Sequence, residues 1–232
     1  MGAAEVWKFA PAYELPSWPF VAPPDLAAPA RKRYPVVIAG GGLSGLTLAC
    51  DLLLRGIPAI VLDEDDTVGV RGASSRGICY AQKSLETFVR LGIYDKIRAK
   101  GITWSVGRTF SGADELYSFN LEDESRSEQP PFINLQQFYL EWFLVERIRE
   151  LDADAIRWKN KVVRVEHGDT GAVVDVETPA GAYALEAEWL IDATGANSRI
   201  REAMGLEAHA SRHTDRWCIS DVRFAKPLPA ER

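Results

Sequence analysis

The sequence predicts an α/β fold built around a parallel sheet, and three observations predict it. Val36, Val37, Ile38 and Ala39 form a short continuous apolar run, the pattern of a strand buried on both faces. Gly40, Gly41 and Gly42 end that run. Leu43, Leu46, Cys50, Leu53 and Leu54 then recur at helical spacing up to the stop signal Arg55-Gly56, which predicts a helix of about three turns. Ala59 to Leu62 form a second apolar strand. Strand, glycine turn, helix and strand within about 30 residues make a βαβ unit, whose crossover is right-handed.

The remaining elements follow from the same periodicities. Seven of the 13 prolines precede Val36, interleaved with Trp7, Phe9, Tyr13, Trp18 and Phe20, which predicts an extended arm over residues 1–33 whose aromatics dock on the domain. Gln82 to Leu91 reads as an amphipathic helix closed by Gly92. Asn134 to Glu150 reads as a longer one, with Phe138, Leu140, Trp142, Leu144, Val145 and Ile148 on its apolar face. Short β-like runs lie between these two helices. Lys161–Glu166, Ala172–Thr178 and Tyr183–Leu185 are strand-like stretches separated by turn residues at 168–171 and 179–181, an inserted β-meander. Trp189 to Asp192 reads as a return to the parallel sheet.

Composition narrows the class of function. With 232 residues and 47% hydrophobic content the chain can bury a sizeable core. A net charge of −6 and a pI of ≈ 5.2 leave no basic footprint, so neither nucleic acid nor an anionic membrane surface is expected as a partner. A diffusible small molecule is. No apolar run approaches the roughly 18 residues that span a bilayer, and no signal-peptide pattern opens the chain, so the cytoplasm is the expected compartment. Cys50, Cys79 and Cys218 form no C-x-x-C pair and are expected to be reduced thiols. His209 and His213 stand four apart in a polar segment without a third ligand, so no metal site is expected.

The glycine turn carries the chemistry. Gly40-Gly41-Gly42-Leu43-Ser44-Gly45 matches G-x-G-x-x-G between a strand and a helix, the fingerprint of a Rossmann-like dinucleotide site. Gly40 permits the tight turn, Gly42 lets the backbone approach a diphosphate, and Gly45 lets the helix press against the strand. The first-turn N–H groups at Leu43 and Ser44 offer donors and partial positive charge. Asp63, at the end of the second strand, is placed to accept hydrogen bonds from an adenosine ribose, with Glu64 as the alternative. A carboxylate there disfavours a 2′-phosphate.

Downstream segments resemble a known family. Gly72-Ala73-Ser74-Ser75-Arg76-Gly77-Ile78, with the helix around Ser84-Leu85-Glu86, resembles the flavin-contacting loop of class A flavoprotein monooxygenases, the para-hydroxybenzoate hydroxylase and phenol hydroxylase group. So does Phe132-Ile133-Asn134-Leu135-Gln136-Gln137. Asp192-Ala193-Thr194-Gly195-Ala196-Asn197-Ser198-Arg199-Ile200-Arg201 is similar to the family's D-G-x-x-S-x-x-R segment, with Thr194 where the family has Asp. Asp-Ala-Thr-Gly is also similar to flavin-dependent halogenases and geranylgeranyl reductases. Asp215 to Phe224 resembles the first strand of the family's substrate-covering domain.

The resemblance implies a Rossmann-like FAD-binding βαβ domain over 34–212 and the start of a substrate-domain sheet over 213–232. It implies FAD contacts from Arg76, Gln137, Thr194, Gly195 and Arg201. It further implies NADH or NADPH as electron donor, and hydroxylation of a phenol-like substrate by molecular oxygen. It covers Tyr34 to Phe224 but only about the first half of a complete enzyme. The chain is therefore expected to lack the C-terminal half, with no catalytic acid or base of its own to name, and a complementing chain or a homo-oligomer stays open. The alternatives are another flavoprotein oxidoreductase, reductase or halogenase-like, and a non-catalytic FAD-binding fragment.

Overall fold

The computed structural model describes residues 14–69, 79–122, 127–209, 214, 225–226 and 230–231. The chain divides into two compact units, residues 1–77 with 136–193, and residues 78–135 with 194–232.

The first unit is built on one mixed sheet of six strands. In chain order these are β1 (Arg33–Ala39), β2 (Ala59–Leu62), β8 (Ile156–Arg157), β9 (Lys161–Gly168), β10 (Gly171–Thr178) and β11 (Gly181–Asp192), arranged β8-β2-β1-β11-β10-β9. β1 pairs in parallel with β2 and β11, and β2 with β8, while β9 and β10 run antiparallel. The expected meander and the expected return strand are thus continuous. One 12-residue strand, β11, closes the meander against β10 and carries on as the parallel neighbour of β1. The meander extends the dinucleotide sheet.

Helix α1 (Leu43–Leu54) follows β1 and packs on β1, β2 and helix α4 (Gln137–Leu151). Leu46, Ala49 and Cys50 of α1 and Leu140, Leu144, Val145 and Ile148 of α4 are fully buried. The expected helix over Asn134–Glu150 starts three residues later, because Phe132–Asn134 form strand β7, whose backbone bonds are committed to two neighbours. Its buried face also differs from expectation: Glu141 is buried and Trp142 only half so. Residues 141, 144, 145 and 148 share one side of a helix, and 142 does not. Tyr34, Val37, Ile60, Leu62, Val174 and Leu185 belong to the sheet core, with Leu26 of the arm packed against it.

From residue 14 on, the arm lies along this unit; Trp7, Phe9 and Tyr13 lie outside the described residues. Ser17 bridges Thr67, the Trp18 N–H donates to the Asp66 carbonyl at 2.8 Å, and the Trp18 ring stacks on Trp158 at 4.8 Å. A 3₁₀ turn over Pro24–Ala27 buries Asp25, which accepts from the Tyr34 hydroxyl at 2.8 Å and pairs with Arg157 at 3.1 Å. Arg157 also donates to the Tyr34 and Tyr183 hydroxyls, and Tyr183 donates to Asn160, so the buried polar groups satisfy one another.

The second unit holds a three-stranded antiparallel sheet, β3 (Cys79–Ala81), β7 and β4 (Ile102–Trp104), in the order β3-β7-β4. Helix α2 (Gln82–Leu91) runs over the residues its periodicity predicts and ends at Gly92, which is left-handed at φ 78°. Helix α3 (Tyr94–Lys100) follows it directly and was not expected. The β5–β6 hairpin (Val106–Ser111, Asp114–Asn120) and the short helix α5 (Arg199–Ala203) complete this unit among the described residues. No helix of the described residues is long and apolar enough to cross a membrane.

Candidate dinucleotide site

Three parallel strands end together. In register, Ala39 of β1 stands beside Leu62 of β2 and Asp192 of β11. β1 lies between them, and ligands of open α/β sheets bind at such carboxyl ends. The chain turns at once: the Gly40 N–H donates to the Leu62 carbonyl at 2.8 Å, and Gly40 has φ 106°, a region closed to most side chains. The first intrahelical bond of α1 runs from Leu46 N–H to the Gly42 carbonyl at 3.0 Å. The N–H groups of Leu43, Ser44 and Gly45 precede it and have no partner within the helix.

The glycines divide by what surrounds them. A β-carbon on Gly45 would stand 2.0 Å from the Gly40 carbonyl oxygen, so helix and turn touch there through backbone alone. A β-carbon on Gly42 would meet nothing within 4 Å. That open cradle lies beside the first-turn N–H groups, where the helix dipole favours an anion.

Asp63 closes one side of the turn. Its Oδ2 accepts from the Gly41 N–H and its Oδ1 from the Asp65 N–H at 2.8 Å. Burial pushes its carboxyl above the ordinary aspartate value, against the lowering effect of the Asp65 and Gly41 backbone bonds. Each carboxylate oxygen has a second lone pair, so Asp63 can grip the turn and still accept from a ligand hydroxyl. Sequence reasoning missed Gly41, the variable position of the fingerprint. A β-carbon there would meet Asp63 Oδ2 at 2.9 Å, and the run of three glycines was its available signal. Glu64 points elsewhere, pairing with Lys161 of β9 at 3.5 Å.

Gln137 opens α4, and its Nε2 donates to Glu141 Oε1 at 2.7 Å. Glu141 Oε2 accepts from the Gly69 N–H at 3.0 Å. Gly69 lies close against α4, since a β-carbon on it would stand 2.9 Å from Phe138 Cβ. Glu141 was also missed. Its signal was a charged residue among the apolar positions of one helix face.

The second unit carries Thr194, Gly195 and Arg201. Gly195 has φ 91° with open space around it. The Ser198 hydroxyl caps α5 by accepting from the Arg201 N–H at 3.0 Å, and the Arg201 guanidinium donates to the Ala196 carbonyl at 3.0 Å. Arg76 and its loop, His213, and the segment from Asp215 to Phe224 lie outside the described residues. Gly168-Asp169 sits in the β9–β10 turn. Among the described residues, no cluster of three or more His, Cys, Asp or Glu is placed to hold a metal.

A glycine cradle at a helix N-terminus, with a carboxylate across it at the ends of parallel strands, defines a dinucleotide-binding α/β domain. The chain belongs to the FAD binding domain family, whose model matches residues 33–232. Its relatives are flavin-dependent monooxygenases. It is 29% identical over 191 residues to the para-nitrophenol 4-monooxygenase of Pseudomonas sp. strain WBC-3, covering 82% of this chain and 47% of that protein. With the 3-(3-hydroxy-phenyl)propionate/3-hydroxycinnamic acid hydroxylase of Mycolicibacterium smegmatis it shares 24% over 187 residues, covering 81% and 33%. The crystal structure of p-nitrophenol 4-monooxygenase PnpA from Pseudomonas putida superposes with a TM-score of 0.69 at 27% identity, covering 76% of this chain and 44% of that one. The chain thus spans about half or less of the length of these relatives.

Proposed function

We propose that this chain is the FAD-holding part of a monooxygenase that hydroxylates a phenol-like aromatic compound with NADH or NADPH and molecular oxygen. The observation that carries the reading is the open cradle at Gly42, flanked by the first-turn N–H groups of α1 and by Asp63, in a chain of the FAD binding domain family. The cradle would admit the diphosphate, and Leu43, Ser44 and Gly45 would donate to it. Asp63 would accept from the ribose hydroxyls. Its grip on Gly41 holds those donors and that acceptor in one geometry before any ligand arrives, which lowers the ordering cost of binding.

Gln137 and Arg76 are assigned to the more distant parts of the dinucleotide. Thr194, Gly195 and Arg201 are further positions at which the family resemblance implies FAD contacts, and Glu64 has its pair with Lys161 to give up before it could serve. FAD when bound supplies the redox chemistry; these residues orient it and exclude water from it.

The purified chain is expected to be yellow, or to turn so on addition of FAD, and a colourless chain that refuses FAD overturns the cofactor reading. Oxidation of NADH or NADPH in the presence of a panel of phenols, with hydroxylated product, tests the reaction. Thr194, where the family's motif has Asp, favours a second reading as a flavoprotein reductase or halogenase. Response only to alkenes, or only with halide present, selects it.

A further inference from the structure

Glu141 is a carboxylate buried to 5% exposure on the packed face of α4, and no described residue forms an ion pair with it. A buried acceptor of this kind is retained at a cost unless donors meet it. Two do, from different parts of the first unit: the backbone N–H of Gly69 at 3.0 Å and the side-chain Nε2 of Gln137 at 2.7 Å. Because a carboxylate only accepts, it dictates which end of the Gln137 amide faces inward. Nε2 must turn toward Glu141, and Oε1 is left facing away, with no described residue donating to it.

We propose that Glu141 is a positioning residue for dinucleotide binding, which fixes Gln137 with its carbonyl oxygen presented as an acceptor and so selects a ligand hydroxyl. The inference rests on the FAD reading given above. It deepens that reading by choosing between the groups Gln137 could meet. A phosphate offers only acceptors at neutral pH, so it gains nothing from Oε1, and against Nε2 it would also face the Glu141 oxygens. A polyol hydroxyl, such as those of the ribityl chain of FAD, donates to Oε1 directly. Through its other oxygen Glu141 holds Gly69, so the same side chain ties the backbone at residue 69 to the first turn of α4.

Glu141→Gln tests this. The isosteric amide keeps Gly69 satisfied through its own oxygen but must donate to residue 137, which forces the Gln137 amide to turn over and present N–H outward. The experiment measures FAD dissociation constants by flavin fluorescence for the wild-type chain, E141Q, Q137A and the double variant, with melting temperatures beside them. About a tenfold loss is expected for E141Q and for Q137A. The double variant is expected within about twofold of Q137A alone, since a residue acting through another adds nothing once that other is gone. Losses that multiply in the double variant make Glu141 merely structural and overturn the inference, as does an E141Q chain that binds FAD like wild type. Should E141Q fail to fold, Glu141→Asp replaces it in the cycle, because the shorter side chain withdraws the carboxylate from Gln137. A wild-type chain that takes up no FAD overturns the parent reading and this one with it, whereas wild-type binding with multiplying losses overturns this one alone.

Discussion

Gly42 and Gly45 stand three residues apart in one turn and answer to opposite constraints. At Gly45 a methyl group would enter the Gly40 carbonyl at 2.0 Å, and the backbone there is pinned by the Gly40–Leu62 bond. Gly45→Ala is therefore expected to cost about 3 kcal/mol, the upper range for overpacking, and to lower the melting temperature by roughly 6–12 °C. At Gly42 a methyl group meets empty space, and φ −78° suits any residue. Gly42→Ala is expected to melt within about a degree or two of wild type while binding FAD at least about tenfold more weakly, because the methyl group fills the cradle. A Gly42→Ala chain with wild-type FAD affinity would remove the cradle from the site.

Asp63 gives a pH signature with a definite sign. Its carboxyl titrates above the ordinary aspartate value because burial penalises the charged form, so the folded chain holds this proton more tightly than the unfolded chain does. Between the ordinary value, about pH 4, and the raised one, the native state binds more protons, and stability contributed by this group is lost as pH rises through that window. Asp63→Asn in the ligand-free chain is expected to flatten that part of the stability profile, to lower stability because its single amide oxygen can accept from only one of the Gly41 and Asp65 N–H groups, and to weaken FAD binding. Urea unfolding between about pH 4 and pH 7 reads the slope. A steeper loss in the variant would contradict the burial of Asp63.

At the scale of elements, the sequence displayed what local periodicity encodes. β1, α1 and α2 were legible because each has an apolar repeat ended by glycine, and β2 because its apolar run stops at the acidic stretch that begins with Asp63. The start of α4 was not, since Phe132–Asn134 carry an ambiguous pattern resolved only by pairing with β3 and β4. Nor was the unity of β11, where polar Glu186 and Glu188 interrupt a strand that tertiary pairing continues. The turn glycines and Asp63 were readable from spacing. Gly41 and Glu141 were hidden because their importance lies in a contact and not in a motif.

The α1–α4 contact also makes a chemical prediction. Cys50 lies fully buried in it, and burial pushes its thiol up to about 11. The thiolate is the reactive form, so in a Cys79→Ser, Cys218→Ser background the folded chain is expected to leave a thiol reagent unreacted at pH 8 and to react fully in denaturant. Rapid labelling of the folded chain would mean that α1 and α4 part under native conditions.

For the molecule as a whole, the site should couple ligand binding to the stability of the unit that builds it. Anything that binds the folded chain alone stabilises it, by about 2.7 kcal/mol at a hundred times its dissociation constant, which in a chain of this size corresponds to roughly 5–11 °C. In the proposed reading the cradle and Asp63 address the adenosine diphosphate half that FAD shares with simpler ligands. ADP is therefore expected to raise the melting temperature too, though less than FAD, for which Gln137 is proposed as a further contact. ADP bearing a 2′-phosphate on the ribose would bring an anion against Asp63 and is expected to give little or no shift. The ordering FAD above ADP above the 2′-phosphorylated form follows from one carboxylate and one glycine turn held together by the Gly41 bond. Equal protection by ADP and its 2′-phosphate would mean that Asp63 does not face the ribose. Protection by neither, with FAD still effective, would move the grip on the cofactor away from the turn.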